Sequence, residues 1–149
     1  MQKRVLIVED DNDILELLKL YLESSNFLVY VAYDGIDTLE LLEKEKINII
    51  IADIMMPRMN GYDLIKSVRV NSNIPIIIIS AKNMDSDKIL GLDIGADAYI
   101  TKPFNPLEVV AYVKALLRRY NEFEESNKES DVIKVGELSL DLNKYILKK

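Results

Sequence analysis

Asp53 follows Ile49-Ile50-Ile51-Ala52, a short apolar run that reads as a strand buried on both faces of a sheet, and its carboxylate is the candidate reactive group. A second such run, Val5-Leu6-Ile7-Val8, is followed by the acids Glu9, Asp10 and Asp11. A third, Ile76-Ile77-Ile78-Ile79, leads into the hydroxyl of Ser80, and Ala98-Tyr99-Ile100-Thr101 leads into Lys102, Pro103 and Phe104. In an open parallel sheet the carboxyl ends of the strands share one edge, and ligands bind there. Carboxylates gathered at that edge repel one another and hold protons more tightly unless a cation relieves them. An oxygen-rich pocket of few side chains suits Mg²⁺, which keeps waters and recruits phosphate oxygens. Lys102 and Ser80 opposite would stabilise a phosphoryl group carried by Asp53. Singly, each residue has an ordinary explanation: Glu9 solvated, Asp10 a helix cap, Ser80 and Asp53 turn formers, Lys102 a surface charge. Their joint arrival at one sheet edge points to chemistry.

Composition narrows that chemistry. The 149 residues, 49% of them hydrophobic, suit one packed domain with something small attached. With no cysteine and no histidine, disulfides, thiolate catalysis, zinc-thiolate sites and the commonest general base are all excluded. Carboxylates, hydroxyls and lysine must do the work. A net charge of -6 argues against wholesale binding of a phosphate backbone. No apolar run approaches the length of a membrane span and the chain enters its first strand almost at once, so the expected location is cytoplasmic.

The elements that must position these residues alternate. Asp11 or Asn12 can cap a helix carrying Ile14, Leu17, Leu18 and Tyr21 on one face, ended by Ser24-Ser25-Asn26. Leu28 to Val31 reads as a strand, and Ile36 to about Lys44 as a helix with Leu39 and Leu42 inward. Arg58-Met59-Asn60-Gly61 has turn composition, and helices are expected over Tyr62 to Val70, about Ser86 to Ile94, and Pro106 or Leu107 to about Tyr120. Five strand and helix pairs in strict alternation predict a doubly wound α/β domain with a parallel sheet.

With those residues in place, the chain resembles the receiver domain of two-component response regulators over residues 1–120. The similarity is narrower still to the OmpR/PhoB-like subfamily, whose transcription factors carry a winged-helix output domain. The resemblance implies the flavodoxin-like strand order 2-1-3-4-5. Leu6-Ile7-Val8-Glu9-Asp10-Asp11 matches the acidic metal-binding motif, which implies Asp10 as a Mg²⁺ ligand and Glu9 acting through water. Asp53-Ile54-Met55-Met56-Pro57-Arg58-Met59-Asn60-Gly61 matches the phosphoacceptor segment, with Asp53 the acceptor and the Met55 carbonyl a further ligand. Ser80 and Tyr99 match the switch hydroxyl and aromatic, and Lys102-Pro103-Phe104 the lysine with its usually cis proline. Gly95-Ala96-Asp97 and Leu116-Leu117-Arg118-Arg119 are subfamily marks. The implied function is a switch: a sensor histidine kinase supplies phosphohistidine, Asp53 takes the phosphoryl group, and the face of the fourth helix, fifth strand and fifth helix changes shape.

On that face the resemblance implies a phosphorylation-promoted homodimer. Lys88, Asp93, Asp97, Glu108 and Arg119 match charged family positions, leaving Lys88 with Glu108 and Asp97 with Arg119 as expected pairs. Ala98 and Tyr112 replace a usual aspartate and arginine, so a more apolar centre is expected there.

The tail differs in kind. Residues 121–131 are polar and read as a linker, and Val132-Ile133-Lys134-Val135, Leu138 to Leu142 and Tyr145-Ile146-Leu147 read as short strands. The resemblance makes 132–149 the opening strands of a truncated winged-helix domain, with DNA contacted only through the missing part. The alternative is a stand-alone receiver acting by protein contact. A carboxylate-nucleophile phosphatase would need an acid where Met55 stands, and a flavin binder would need a phosphate-cradling loop where Glu9-Asp10-Asp11 stand.

Overall fold

The computed structural model describes residues 2–56 and 59–133, with residues 121–133 described by backbone alone. Five strands and five helices alternate in the order β1 (Arg4–Val8), α1 (Asn12–Ser24), β2 (Leu28–Ala32), α2 (Gly35–Lys44), β3 (Ile49–Ala52), α3 (Gly61–Asn71), β4 (Ile76–Ser80), α4 (Asp85–Asp93), β5 (Ala98–Thr101) and α5 (Pro106–Ile133). All strand pairs are parallel and the sheet order is β2-β1-β3-β4-β5. The expected doubly wound architecture and strand order are both present.

Strand position follows composition. Every residue of β3 and β4 is buried, as unbroken isoleucine runs require when helices cover both faces. The edge strands β2 and β5 alternate or admit solvent. Period-two alternation then sorts the central side chains into two cores. Val5, Ile7, Ile49, Ile51, Ile77 and Ile79 pack with Leu18 and Leu22 of α1 and Val109 and Val113 of α5. Leu6, Val8, Ile50, Ala52, Ile76 and Ile78 pack with Leu64, Ile65 and Val68 of α3.

The inward face of α1 is Leu15, Leu18 and Leu22; Ile14 and Tyr21 pack at its margin, and Leu17 is exposed. The inward stripe is thus rotated by about one position from the expected one, because the apolar residues of this helix satisfy helical spacing in either setting. Ala98 is buried beneath α5, in one core with Val109 and Val113, so it does not lie on an exposed face as expected. The last helix continues past Tyr120: backbone 121–133, read as linker and the start of a strand, is helical. Its Glu and Lys content favours helix without an apolar stripe, and the stripe is what marks a helix in sequence. The strands expected over 134–149 lie outside the described residues, as do Pro57 and Arg58. The chain divides into compact units of Met1–Leu117 and Arg118–Lys149.

At the edge of the sheet opposite the strand-end acids, Arg69 ties three segments together. Its guanidinium donates to the carbonyls of Gly95 at 2.7 and 3.0 Å and of Ile74 at 2.6 Å, and meets Asp97 at 3.1 Å. Asp97 also accepts the Ile76 N–H at 2.9 Å. The planar fork fits this work: several fixed donors converge on carbonyls that no ladder partner satisfies. Arg69→Ala is expected to destabilise the domain by about 2 kcal/mol or more. The check is a lower urea midpoint at unchanged slope, with Arg69→Lys recovering only part of the loss.

Candidate functional site

Sheet register assembles the site. Val8 pairs with Ala52, so the next residues, Glu9 and Asp53, leave adjacent strands side by side. Backbone bonds fix both: the Asp53 N–H donates to the Val8 carbonyl and the Glu9 N–H to the Ala32 carbonyl, each at 3.1 Å. Both carboxylates are buried, Glu9 at 3% and Asp53 at 6% exposure. Asp10 is exposed beside them, and Glu9, Asp10 and Asp53 each present an oxygen within 4.8 Å of the others. Asp11, one residue on, is the α1 cap, accepting the Asp13 and Ile14 N–H groups at 2.9 and 3.3 Å. Capping is therefore discharged by Asp11, and Asp10 is left to the acidic cluster.

Lys102 crosses from β5 to neutralise the pair. Its ammonium lies 2.8 Å from Asp53 Oδ2 and 3.2 Å from Glu9 Oε1. Burial alone would lower its pKa, but the hydrogen bond and charge of Asp53, then those of Glu9, outweigh it and hold the group above its ordinary 10.5. The other Asp53 oxygen, Oδ1, accepts the Met55 N–H at 3.0 Å. Glu9 Oε2 accepts the Asp11 N–H at 3.1 Å. The Lys102–Pro103 peptide is cis, as the family likeness implied.

The loop after Asp53 is pressed against the start of α3. A Cβ on Gly61 would lie 2.6 Å from Ile54 Cα and 2.8 Å from the Asp53 carbonyl, so only glycine permits the approach. The Gly61 N–H then reaches the Ile54 carbonyl at 2.8 Å. Ser80 is fully buried at the end of β4, two positions beyond the Ala52 partner Ile78. Its Oγ accepts the Lys82 N–H at 3.2 Å, the Lys82 carbonyl accepts the Tyr99 hydroxyl at 2.9 Å, and the Lys102 N–H donates to the Ser80 carbonyl at 2.9 Å. Burial pushes the Tyr99 phenol above its ordinary value.

Glu9, Asp10, Asp53 and Lys102 are thus brought together, with Met55 alongside through its N–H. Ser80 and Tyr99 each bond to the Lys82 backbone, one to its N–H and the other to its carbonyl. Lys88, Asp93, Asp97, Glu108, Tyr112 and Arg119 are not part of this pocket. Sequence reasoning missed Arg69, whose signal was only a lone basic residue near a helix end. It also missed an apolar cleft of about 390 Å³ lined by Ile14, Leu17, Lys102, Pro103 and Phe104. The exposed Leu17 was the available signal for it. Among the described residues no helix is long and apolar enough to cross a membrane.

A sheet edge with this strand order, carrying acids from β1 and β3 neutralised by a lysine from β5, defines a phosphoacceptor domain. Residues 5–114 match the response regulator receiver domain, and the chain belongs to that family. It is similar to the response regulator GtcR of Aneurinibacillus migulanus, 47% identical over 143 residues that make up 94% of this chain and 59% of the relative. It is also similar to the transcriptional regulatory protein YcbL of Bacillus subtilis, 40% identical over 139 residues, 93% of this chain and 62% of the relative. The chain therefore spans about three fifths of the length of these relatives. Among solved structures, the Francisella response regulator 1452 receiver domain superposes with a TM-score of 0.77 at 37% identity, covering 80% of this chain and 99% of that one.

Burial, reinforced by Asp53 and opposed by the Asp11 N–H and Lys102, raises the Glu9 carboxyl above its ordinary 4.5. The folded state then binds the Glu9 proton at a pH where the unfolded chain has released it. Ionising Glu9 consequently costs stability as pH climbs from the ordinary carboxyl range to the raised value. With divalent ions chelated, Glu9→Gln is expected to raise the melting temperature at neutral pH and to leave it little changed at a pH where both forms are neutral. A pair of thermal melts at the two pH values checks this.

Proposed function

We propose that this chain is the phosphoryl-accepting half of a two-component relay, with Asp53 as acceptor and a sensor histidine kinase as donor. The observation that carries it is the Asp53 carboxylate held 2.8 Å from the Lys102 ammonium at the shared strand edge. In the transfer, an Asp53 carboxylate oxygen attacks the phosphorus of the kinase phosphohistidine. The new P–O bond forms as the P–N bond breaks, and the imidazole leaves with the electron pair. Lys102, already aimed at Asp53, stabilises the negative charge on the phosphoryl oxygens. Met55 N–H holds the second carboxylate oxygen and so fixes which one attacks.

The acidic cluster fits a hard divalent cation: carboxylate oxygens converge, and one of them, on Asp10, is exposed and able to give up water. Asp10, Asp53 and the Met55 carbonyl would hold Mg²⁺, with Glu9 acting through water. When bound, the ion supplies charge neutralisation at the phosphoryl oxygens. The apolar cleft beside Lys102 gives the donor protein a surface to rest on next to the reacting atoms.

The response runs through Ser80. Its hydroxyl, now on the Lys82 N–H, turns to the phosphoryl group, and the Tyr99 ring follows through the backbone of Lys82 that both contact. The changed face of α4, β5 and α5 pairs two copies of the chain. Exposed Ile89 and Leu90 on α4 and Tyr112 on α5 give that face its apolar content. Asp97 is engaged by Arg69 within the chain, so the ionic share falls mainly on Lys88 with Glu108, with Asp93 and Arg119 at the margin. The output is transcription regulation in the cytoplasm, through a DNA-binding domain whose opening segment follows the α5 helix. The greater length of its relatives, one of them a transcriptional regulator by name, supports that assignment.

Asp53→Asn is expected to abolish uptake of a phosphoryl group from a small phosphodonor, read by intact mass, while Asp10→Asn weakens Mg²⁺ binding without unfolding the domain. Retained phosphorylation in the Asp53→Asn variant would defeat the assignment. For the dimer, an exposed ion pair contributes only about 0 to 1 kcal/mol, so Tyr112→Ala is expected to weaken association more than Lys88→Ala. Sedimentation of the beryllofluoride-treated protein over a salt series is the measurement, with a dimer insensitive to Tyr112→Ala as the adverse result.

A further inference from the structure

The α4 helix is anchored in an unusual way. Of its residues only Gly91 is buried, while Ile89, Leu90 and Leu92 stand 58, 46 and 45% exposed. A helix normally holds its place by burying large side chains, and here the contact is made by a residue with none. The reason lies beneath it. A Cβ on Gly91 would sit 2.7 Å from Ile78 Cδ1, 3.1 Å from Tyr99 Cδ2 and 3.3 Å from Tyr99 Cε2. Gly91 has no left-handed backbone angle to explain it, since among the described residues the glycine with positive φ is Gly95. The helix interior would itself favour alanine over glycine. What glycine supplies at this position is space, and the Tyr99 ring takes it.

We propose that Gly91 is the positioning residue of the switch aromatic: the missing side chain is the seat of the Tyr99 ring between α4 and β4. The ring is packed in the core that contains Ile78, and its hydroxyl reaches the Lys82 carbonyl at 2.9 Å. With both ends of the side chain fixed, the ring edge has nowhere to yield except outward, towards solvent. A methyl group at residue 91 therefore crowds the ring edge, which must give by a few tenths of an ångström, and strains the hydroxyl bond to Lys82, the residue whose N–H also binds Ser80. Gly91 touches none of Glu9, Asp10, Asp53 or Lys102, so phosphoryl chemistry is left intact while its transmission is cut. The transmission part rests on the proposed phosphoacceptor switch; the seat itself does not.

Two variants separate these effects. Gly91→Ala meets both Ile78 and Tyr99, whereas Gly91→Ala with Ile78→Val removes Ile78 Cδ1 and leaves the tyrosine contact alone. In unphosphorylated protein, nuclear Overhauser contacts from the Tyr99 ring to the residue 78 methyls and to residue 91 report the seat. The expectation is that Tyr99-to-78 contacts present in the native protein and in Ile78→Val are weakened in both glycine variants. Beryllofluoride with Mg²⁺ then reports the switch: the ¹⁹F signal shows occupancy at Asp53, and the amide shifts of α4 and β5 show the response. Both glycine variants are expected to bind beryllofluoride as the native protein does, yet to shift the equilibrium of α4 and β5 about tenfold less, equivalent to about 1.4 kcal/mol. A merely structural role predicts a change in stability with an unchanged response. Ring contacts retained at native strength in the double variant, or a native response in either glycine variant, overturn the proposal. Failure of the native protein to bind beryllofluoride would instead strike the phosphoacceptor reading and leave the ring contacts to judge Gly91.

Discussion

Two buried carboxylates leave neighbouring strands one residue past a paired register, and a single ammonium ion makes that arrangement possible. Glu9 and Asp53 lie side by side out of solvent, and Lys102 reaches both from β5 at 3.2 and 2.8 Å. The sheet order thereby becomes a chemical requirement. Only with β3 beside β1 do the acids meet, and only with β5 brought round beyond β4 does the lysine reach them. The hydrogen bond from the Lys102 N–H to the Ser80 carbonyl locks that reach into the ladder between β4 and β5. Reactive geometry at this site is therefore a property of strand pairing more than of any loop.

The same backbone runs outward from the site: Ser80 and Tyr99 bond to the two polar ends of one residue, the Lys82 N–H and carbonyl. Neither bond depends on the Lys82 side chain. Around them the packing is dense at Ile78 and absent at α4's outer surface, which concentrates whatever freedom this part of the fold has on a single short helix.

Much of this was legible in the sequence, because buried parallel strands announce themselves as isoleucine runs and each was followed by the residue that matters. The isoleucines before Asp53 and before Ser80 marked both the strand and the edge on which its last side chain falls. What escaped was whatever depended on rotation or on contact across elements. The α1 stripe is Leu15, Leu18 and Leu22, a setting that the spacing of the apolar residues in this helix left open. Ala98 was placed on the pairing face by its match to a family position usually held by aspartate, yet β5 alternates and turns it under α5. Arg69 and Gly91 gave little warning: one works by reaching backbone carbonyls far along the chain, the other by the volume it lacks. The helical backbone over 121–133 has good helix-forming residues but no apolar periodicity, and periodicity is the signal by which a helix is read from sequence.

The cleft beside the site joins two kinds of residue with different obligations. Lys102 and Pro103 are bound to the chemistry and to the geometry of the β5 terminus, whereas Ile14 and Leu17 on α1 sit at the rim, one of them exposed, and hold nothing in the reactive pocket. A partner filling the cleft reads all of them at once. Duplicated copies of such a gene would thus have a cheap path to private partners: drift at the α1 rim rewrites who is recognised, while the wall made by the lysine stays common to every copy.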